Sequence, residues 1–137
     1  MTEGWINEEY LVLFSREESN SLSAKYDFAK YLPDHNLIGL RGWDDFIVVD
    51  PNGEVFSLPT IPMDLTLAEP FVLSENLAFE PDDRFKGKIK WYLKPLVFGG
   101  DPEDEENLTW VNSEKHAELV VWWNEKYREI KGQAENA

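Results

Sequence analysis

The sequence predicts an α+β fold: a single domain in which helices pack on an antiparallel β-sheet and the chain ends in an amphipathic helix. Three observations predict it. The 137 residues fit one ordinary domain. Six Trp, five Tyr and eight Phe supply enough apolar surface to form a core, although the chain is strongly acidic. Strand and turn patterns occupy the middle of the chain, whereas its last part has apolar residues at helical spacing.

The N-terminal part is predicted to contain one strand and one helix. Residues 1–9 are mostly polar and indicate a loose start, and residues 10–14 are a short apolar run rich in strand formers. Ser15 and Glu18 have the spacing of a capping box, so we expect a helix from there to about Tyr31. The side chains expected to face inward on this helix are Leu22, Tyr26, and Ala29 or Lys30.

The middle of the chain has the pattern of β-strands. Residues 37–40 are one candidate strand, and residues 46–50 and 54–58 are predicted to pair as a hairpin. The Pro-Asn-Gly sequence at 51–53 between them supplies the residue types that tight turns require. Residues 65–80 are predicted to be a short irregular helix or a loop.

Residues 84–94 alternate strictly between charged and apolar side chains. This period of two predicts a half-buried strand. A row of lysines on one face is typical of an edge strand that is protected from unwanted pairing, and a cationic patch with a function is the alternative. The charged face would consist of Arg84, Lys86, Lys88, Lys90 and Lys94, and the apolar face of Phe85, Ile89, Trp91 and Leu93.

The C-terminal part is predicted to contain an acidic loop, a brief strand at 108–111 and the clearest helix of the chain. Residues 101–106 hold five acids and are too polar to pack, so we expect an exposed loop. The helix is predicted from Glu114 to about Lys131, capped by Asn112 or Ser113, with residues 132–137 as a disordered tail. Its apolar stripe is His116, Leu119, Val120, Trp123, Tyr127 and Ile130.

The net charge of −14 bears on partners. It disfavours nucleic acid and anionic membranes, which attract clustered Lys and Arg. It favours a basic protein partner, since complementary fields speed encounter; the alternative is that the acidity only keeps the protein soluble. The chain has no Cys, no signal-peptide pattern in residues 1–15 and no apolar run of about 20 residues, so we expect a cytoplasmic protein.

No catalytic residue, cofactor or metal site is predicted. Residues 101–107 place oxygens at alternate positions as a calcium loop does, but they lack its central Gly and its final Glu. His116 lies on the apolar stripe and is expected to be a core or boundary histidine that hydrogen-bonds a backbone group, and His35 is expected in an exposed turn. No Ser lies in a nucleophile elbow.

Three segments carry a family resemblance: a stretch with acidic, Tyr and Pro residues at 26–33, a strand ending in Asp at 46–50, and a hairpin strand at 54–64 that leads to a Pro-containing bend with a terminal Asp. Together they resemble the central part of the SMI1/KNR4 superfamily. Residues 98–102 and 116–124 are similar to extensions found in some bacterial members. The resemblance implies an α+β domain over residues 1–131. It also implies an immunity protein that neutralises a cognate toxin by binding it, and it carries over no catalytic residues.

These considerations favour a non-enzymatic protein that binds a basic toxin domain, such as a nuclease. The alternatives are a hydrolase that depends on carboxylates or a divalent metal, and a regulatory scaffold. Trp122 either covers the core or offers an aromatic contact to a partner. The candidate binding residues are Asp101, Glu103, Asp104, Glu105 and Glu106, then Trp43, Asp44 and Asp45, together with Trp122.

Overall fold

In the computed structural model, which describes residues 2–73 and 78–135, six strands form one antiparallel sheet whose spatial order is the chain order. They are β1 (Thr2–Ile6), β2 (Glu9–Leu13), β3 (Asn36–Arg41), β4 (Asp45–Val49), β5 (Val55–Pro59) and β6 (Glu69–Pro70). A second antiparallel pair consists of β7 (Ile89–Tyr92) and β8 (Leu108–Val111), and the α-helices are α1 (Arg16–Lys25), α2 (Phe28–Tyr31) and α3 (Ser113–Glu135). The predicted α+β domain with an antiparallel sheet and a C-terminal helix is confirmed.

The main core lies on one face of the six-stranded sheet. Tyr10 of β2 and Phe46 of β4 belong to it, whereas their neighbours Leu11 and Ile47 are buried outside it, as the period of two requires. Helix α1 packs on β3 and α3, and α3 also contacts β7. These elements complete the core with Leu22, Val120 and Trp91.

The predicted hairpin at residues 46–58 is confirmed as β4 and β5. Asp50 fixes its turn, because its Oδ1 accepts hydrogen bonds from the backbone N–H of Asn52 (2.9 Å) and of Glu54 (2.8 Å). Gly53 supplies the left-handed residue, with φ of +82°. The predicted strands at residues 10–14, 37–40 and 108–111 are also present as β2, β3 and β8.

The stretch 65–80 contains a 3-10 turn at Leu65–Leu67 and the short strand β6. A short irregular helix or a loop was predicted for it, and the strand was not. Residues 74–77 of this stretch lie outside the described residues.

The predicted single helix up to Tyr31 is wrong, because the chain breaks it at Asp27. The capping box is present: Ser15 Oγ accepts from Glu18 N at 3.2 Å, and Glu18 Oε1 accepts from Ser15 N at 2.8 Å. Asp27, however, has a left-handed φ of +59°, and α2 begins directly after it at Phe28. This turn buries Phe28 and Tyr31 and leaves the expected inward residues Ala29 and Lys30 exposed.

The predicted loose start is wrong as well, because residues 2–6 form β1 at the edge of the main sheet. Trp5 is held from a distant part of the chain. Its backbone exchanges hydrogen bonds with Glu80 at 2.9 and 3.0 Å, and its indole Nε1 donates to Asp82 Oδ2 at 3.0 Å. The sequence around Trp5 gives no indication of these long-range contacts, so the strand was not predicted.

The strand predicted at residues 84–94 is limited to Ile89–Tyr92. The residues before it form a turn that includes Gly87 at φ of +74°. Arg84 pairs with Asp82 at 2.7 Å, and Lys90 pairs with Asp44 at 3.0 Å, so the basic side chains do not form one continuous edge row. Leu93, predicted on the apolar face, is 57% exposed.

Helix α3 begins as predicted and ends later than predicted. Asn112 is the cap, since its Oδ1 accepts from Lys115 N at 2.8 Å. The helix continues through Gly132 to Glu135, so the predicted disordered tail is wrong for residues 132–135, and residues 136–137 lie outside the described residues. Ile130, predicted on the buried stripe, is 45% exposed.

Gly132→Ala is expected to raise the free energy of unfolding by up to about 0.5–1 kcal/mol. Gly132 lies within α3 and a Cβ there would meet no atom within 4 Å, so the added methyl group only favours the helix. Urea denaturation measures the effect. The matched control is Gly53→Ala, which forces Ala to a φ of +82° and is expected to destabilise the protein. Destabilisation by Gly132→Ala would contradict a helix at this position.

Candidate partner-binding surface

The acidic loop, residues 101–106, has a backbone organised by its own carboxylates. Asp101 Oδ1 accepts from the N–H of Glu103 at 2.9 Å, and Asp104 Oδ1 accepts from the N–H of Glu106 at 3.0 Å. Asp104 N also donates to Asp101 O at 3.3 Å. These local bonds form two successive turns, so the loop has a defined shape without a hydrophobic core of its own.

Asn107 ties the acidic loop to the chain that follows β7. Its Nδ2 donates to the carbonyl oxygens of Lys94 (3.1 Å) and Asp101 (3.3 Å), and its Oδ1 accepts from Lys94 N at 2.7 Å. Gly100 completes the attachment, because a Cβ at this position would overlap the carbonyl oxygen of Lys94. The loop is therefore held at a fixed place beside Lys94.

The five carboxylates of the acidic loop face solvent. All five acidic residues are exposed, and no Lys, Arg or His within residues 2–73 and 78–135 forms an ion pair with any of them. Within the described residues, no ion pair of 4 Å or less therefore neutralises a carboxylate of the acidic loop. The predicted exposed acidic loop is confirmed as a structural feature.

Exposed apolar side chains adjoin the acidic loop. Leu93 is 57% exposed, and Leu96 and Val97 are each 45% exposed. They lie just before the loop in the chain, and Gly100 N donates to Pro95 O at 3.1 Å, which folds the loop back on this segment. These three side chains form an apolar edge beside the acidic loop.

The same apolar segment forms one wall of a concave cavity of about 280 Å³. The cavity lies between the turn that joins β3 to β4, the chain after β5, and the chain around β7. It is lined by Trp43, Asp44, Asp45, Pro59, Thr60, Ile61, Lys90, Trp91, Tyr92, Pro95, Leu96, Val97 and His116.

The two carboxylates of the cavity differ in their partners. Asp44 forms an ion pair with Lys90 at 3.0 Å, and the Lys90 ammonium also lies 5.0 Å from the centre of the Tyr92 ring. Burial raises the pKa of Asp44, and burial together with the charge of Asp44 raises the pKa of Asp45. Asp45 has no ion-pair partner within 4 Å among the described residues.

Trp43 does not offer its ring to a partner as predicted, because it is only 7% exposed. Its ring stacks on Tyr10 with centroids 4.6 Å apart and meets Trp110 edge-on at 5.2 Å. Its φ of +63° is unusual for a bulky residue and turns the chain directly before Asp44. Trp43 therefore supports the cavity from within the core.

His116 lies at the inner end of the cavity and is 1% exposed. Its predicted core position is confirmed, but its partner is a side chain and not a backbone group. Nδ1 lies 2.5 Å from the hydroxyl of Tyr26, and burial lowers the pKa of His116 to about 3. Burial also raises the pKa of Tyr26, so this hydrogen bond joins a protonated hydroxyl to a neutral imidazole.

Trp122 lies on another surface. Its ring is 55% exposed and borders a shallow groove on α3 with Glu118, Leu119, Val121 and Glu125. None of these residues lines the cavity beside β7. The structure therefore brings Asp44 and Asp45 together at the cavity, and leaves Trp122 apart. The acidic loop is joined to the cavity wall through the hydrogen bond from Gly100 to Pro95.

Sequence reasoning missed Lys90 as the partner of Asp44, and it missed Leu96 and Val97 as the apolar wall. The apolar run at residues 95–98 between a strand and a Gly-Gly pair was the available signal for the wall, since such a run has no place in a polar connection. No local signal connects Lys90 with Asp44, which is 46 residues earlier in the numbering.

Comparison of the chain with family models, with curated proteins and with solved structures gives no match. Within the part of the chain that the structure describes, no three His, Cys, Asp or Glu side chains are grouped so that they could hold a metal ion. Across those same residues, no helix is both long enough and apolar enough to cross a bilayer.

Proposed function

We propose that this chain is a non-enzymatic cytoplasmic binding protein that engages a basic protein partner through the acidic loop and the apolar edge beside it. The observation that carries the proposal is the loop itself: five exposed carboxylates, without ion pairs among the described residues, on a backbone fixed by Asn107. An organised charged surface loses little entropy on binding, because its shape exists before the partner arrives.

The physical role of such a surface is to attract a cation-rich partner and then to hold it by apolar contact. Unpaired carboxylates steer a basic protein at long range and raise the association rate. Leu96 and Val97 then provide apolar area that a partner can bury. This division between a charged margin and an apolar centre is the usual anatomy of a specific interface.

We further propose that the partner is a toxin domain, such as a nuclease, and that this chain is its immunity protein. A nuclease is cationic where it grips nucleic acid, so an acidic protein can occupy or flank that site. The resemblance to the SMI1/KNR4 superfamily supports this part of the proposal, as does the net charge of −14. Gene order distinguishes an immunity protein from a regulatory scaffold, because only an immunity gene is expected directly beside a toxin gene.

The test uses the protein encoded beside this gene and a loop variant with D101N, E103Q, D104N, E105Q and E106Q. Asn retains the Oδ1 acceptors that form the two loop turns, so the loop loses charge and keeps its hydrogen bonds. We expect the loop variant to bind the partner roughly 10- to 1000-fold more weakly in calorimetric titration.

The control variant removes the same number of charges elsewhere, at the exposed residues Glu8, Glu17, Glu54, Asp83 and Glu129. It is expected to bind within a few fold of the unchanged protein at moderate salt. Unchanged affinity in the loop variant would remove the acidic loop from the interface. An equal loss in both variants would indicate only a general charge effect.

A hydrolase that works by carboxylates is the second candidate, and the cavity favours it. Asp44 and Asp45 are adjacent acids of raised pKa in a concave site, which is the arrangement expected of acid–base catalysis. Turnover of chromogenic ester, phosphodiester or glycoside substrates that is abolished by Asp45→Asn would support this candidate over the binding protein.

A further inference from the structure

The cavity between the β3–β4 turn and the chain after β7 has an uncompensated negative charge. The charged groups in and around its carboxylate end are four acids and two bases: Glu9, Asp44, Asp45, Glu69, Arg41 and Lys90. Arg41 is bound to Glu9, with Nη2 and Nε at 2.7 and 3.0 Å from one carboxylate oxygen, and Lys90 is bound to Asp44 at 3.0 Å. Asp45 and Glu69 remain without an ion pair among the described residues.

Arg41 is not free to turn to Asp45. Although the two residues are directly paired across β3 and β4, the Arg41 guanidinium also contacts Ser57 Oγ at 3.4 Å and lies 4.8 Å from the centre of the Phe71 ring. Asp45 is therefore a half-buried carboxylate, and the neighbouring cation, Arg41, is already bound to Glu9. It faces a desolvation cost that a cationic guest would offset.

The remaining lining of the cavity is apolar or aromatic. Ile61, Leu96 and Val97 form aliphatic walls, and Tyr92 and Trp91 contribute rings. The cavity volume of about 280 Å³ accommodates one long side chain. Trp43 also lines the cavity and adds a third aromatic ring to its wall.

We propose that this cavity receives an arginine side chain of the basic partner, with its guanidinium on Asp45 and its aliphatic stem against Ile61, Leu96 and Val97. The inference rests on the proposed function and specifies how the partner is recognised. The acidic loop attracts the partner, and the cavity then binds one of its side chains.

Arginine fits this lining better than the other candidates do. Its planar guanidinium pairs with a carboxylate through two parallel hydrogen bonds and stacks on aromatic rings. A lysine ammonium is more strongly hydrated and makes no planar pair. An anionic guest would meet Asp44 and Asp45, and a purely apolar guest would leave Asp45 buried without a partner.

The test is a titration of the ¹⁵N-labelled full chain with N-acetyl-arginine-N-methylamide, followed by NMR. The matched probe is the citrulline analogue, which has nearly the same shape and no charge. We expect saturable shifts at the amides of Asp45, Ile61 and Val97 with the arginine probe. Binding of the citrulline probe, and binding of the arginine probe to Asp45→Asn, are each expected to be about tenfold weaker or more.

Asp45→Asn is suitable because Asp45 forms no side-chain hydrogen bond within the described residues, and the control Glu17→Gln changes an exposed acid outside the cavity. Absence of shifts at the cavity, equal binding of citrulline, or full binding to Asp45→Asn would overturn the inference. No partner is needed for this titration. If the arginine probe does not bind but partner binding still depends on the acidic loop, only the arginine site is rejected. If the arginine probe binds but partner binding does not depend on the acidic loop, only the role of the loop is rejected.

Discussion

Asn124→Leu is expected to lower the free energy of unfolding by about 3–5 kcal/mol. Asn124 is 1% exposed and joins α3 to the chain after β5. Its Oδ1 accepts from Met63 N at 2.6 Å, and its Nδ2 donates to Thr60 O and Val120 O, each at 2.8 Å. Leucine has the same branched arrangement of side-chain heavy atoms but leaves the buried Met63 N–H and Thr60 carbonyl without their partner, and each such group costs about 1–3 kcal/mol.

Urea denaturation followed by Trp fluorescence measures this loss. The matched control is Asn20→Ala on the exposed side of α1, which is expected to change stability by no more than about 0.5 kcal/mol. Equal stability of the two variants would show that the Asn124 network does not hold the chain at residues 60–63. Because Thr60 and Ile61 line the cavity, Asn124→Leu is also expected to weaken binding at that site.

His116 is expected to make the protein sensitive to acid. Burial lowers its pKa to about 3 in the folded state, against an ordinary value of 6.5. Between these values the unfolded chain binds a proton that the folded chain excludes. The stabilising contribution is thus complete above pH 6.5 and is lost by about 1.4 kcal/mol for each pH unit as the pH falls toward 3.

Asp44 and Asp45 act in the opposite direction, because their pKa values are raised and the folded state takes up protons first as the pH falls. The contribution of His116 is therefore obtained by comparing the unchanged protein with His116→Gln. We expect the free energy of unfolding to fall more between pH 7 and pH 5 in the unchanged protein than in this variant. The same pH difference in both proteins would contradict a neutral buried imidazole at this position.

The parts of the fold that sequence could predict are those set by neighbouring residues. The hairpin turn was predictable because Asp50, Pro51 and Gly53 act on each other within four positions. The capping box of Ser15 and Glu18 is equally local. Strand β1 was missed because Trp5 is fixed by Glu80 and Asp82, and these contacts exist only after the chain has folded.

The two predicted helix ends failed for a related reason. Asp27 adopts a left-handed conformation that helical spacing does not reveal, and the turn buries Phe28 in place of Ala29. Gly132 was taken as a helix end on its intrinsic preference, yet α3 continues through it. Intrinsic preference is a weak predictor wherever the surrounding structure can outweigh it.

The candidate site was predictable in part. Composition alone indicated that residues 101–106 would be an exposed acidic loop, since so many adjacent charges cannot be packed. Asp44 and Asp45 were named, but the cavity they line was not, because its other walls come from residues 59–61, from the chain around β7 and from His116. Trp43 was expected on the surface and is buried instead by Tyr10 and Trp110, which lie far from it in the sequence.

The measurement that tests the central claim most directly is the association rate between this chain and the protein encoded beside its gene, at low and high salt. Stopped-flow fluorescence would compare the unchanged chain, the loop variant and the control variant. We expect a fast rate that falls steeply with salt for the unchanged chain and the control variant, and a slow rate with little salt dependence for the loop variant. Equal rates and equal salt dependence in all three proteins would contradict recognition through the acidic loop.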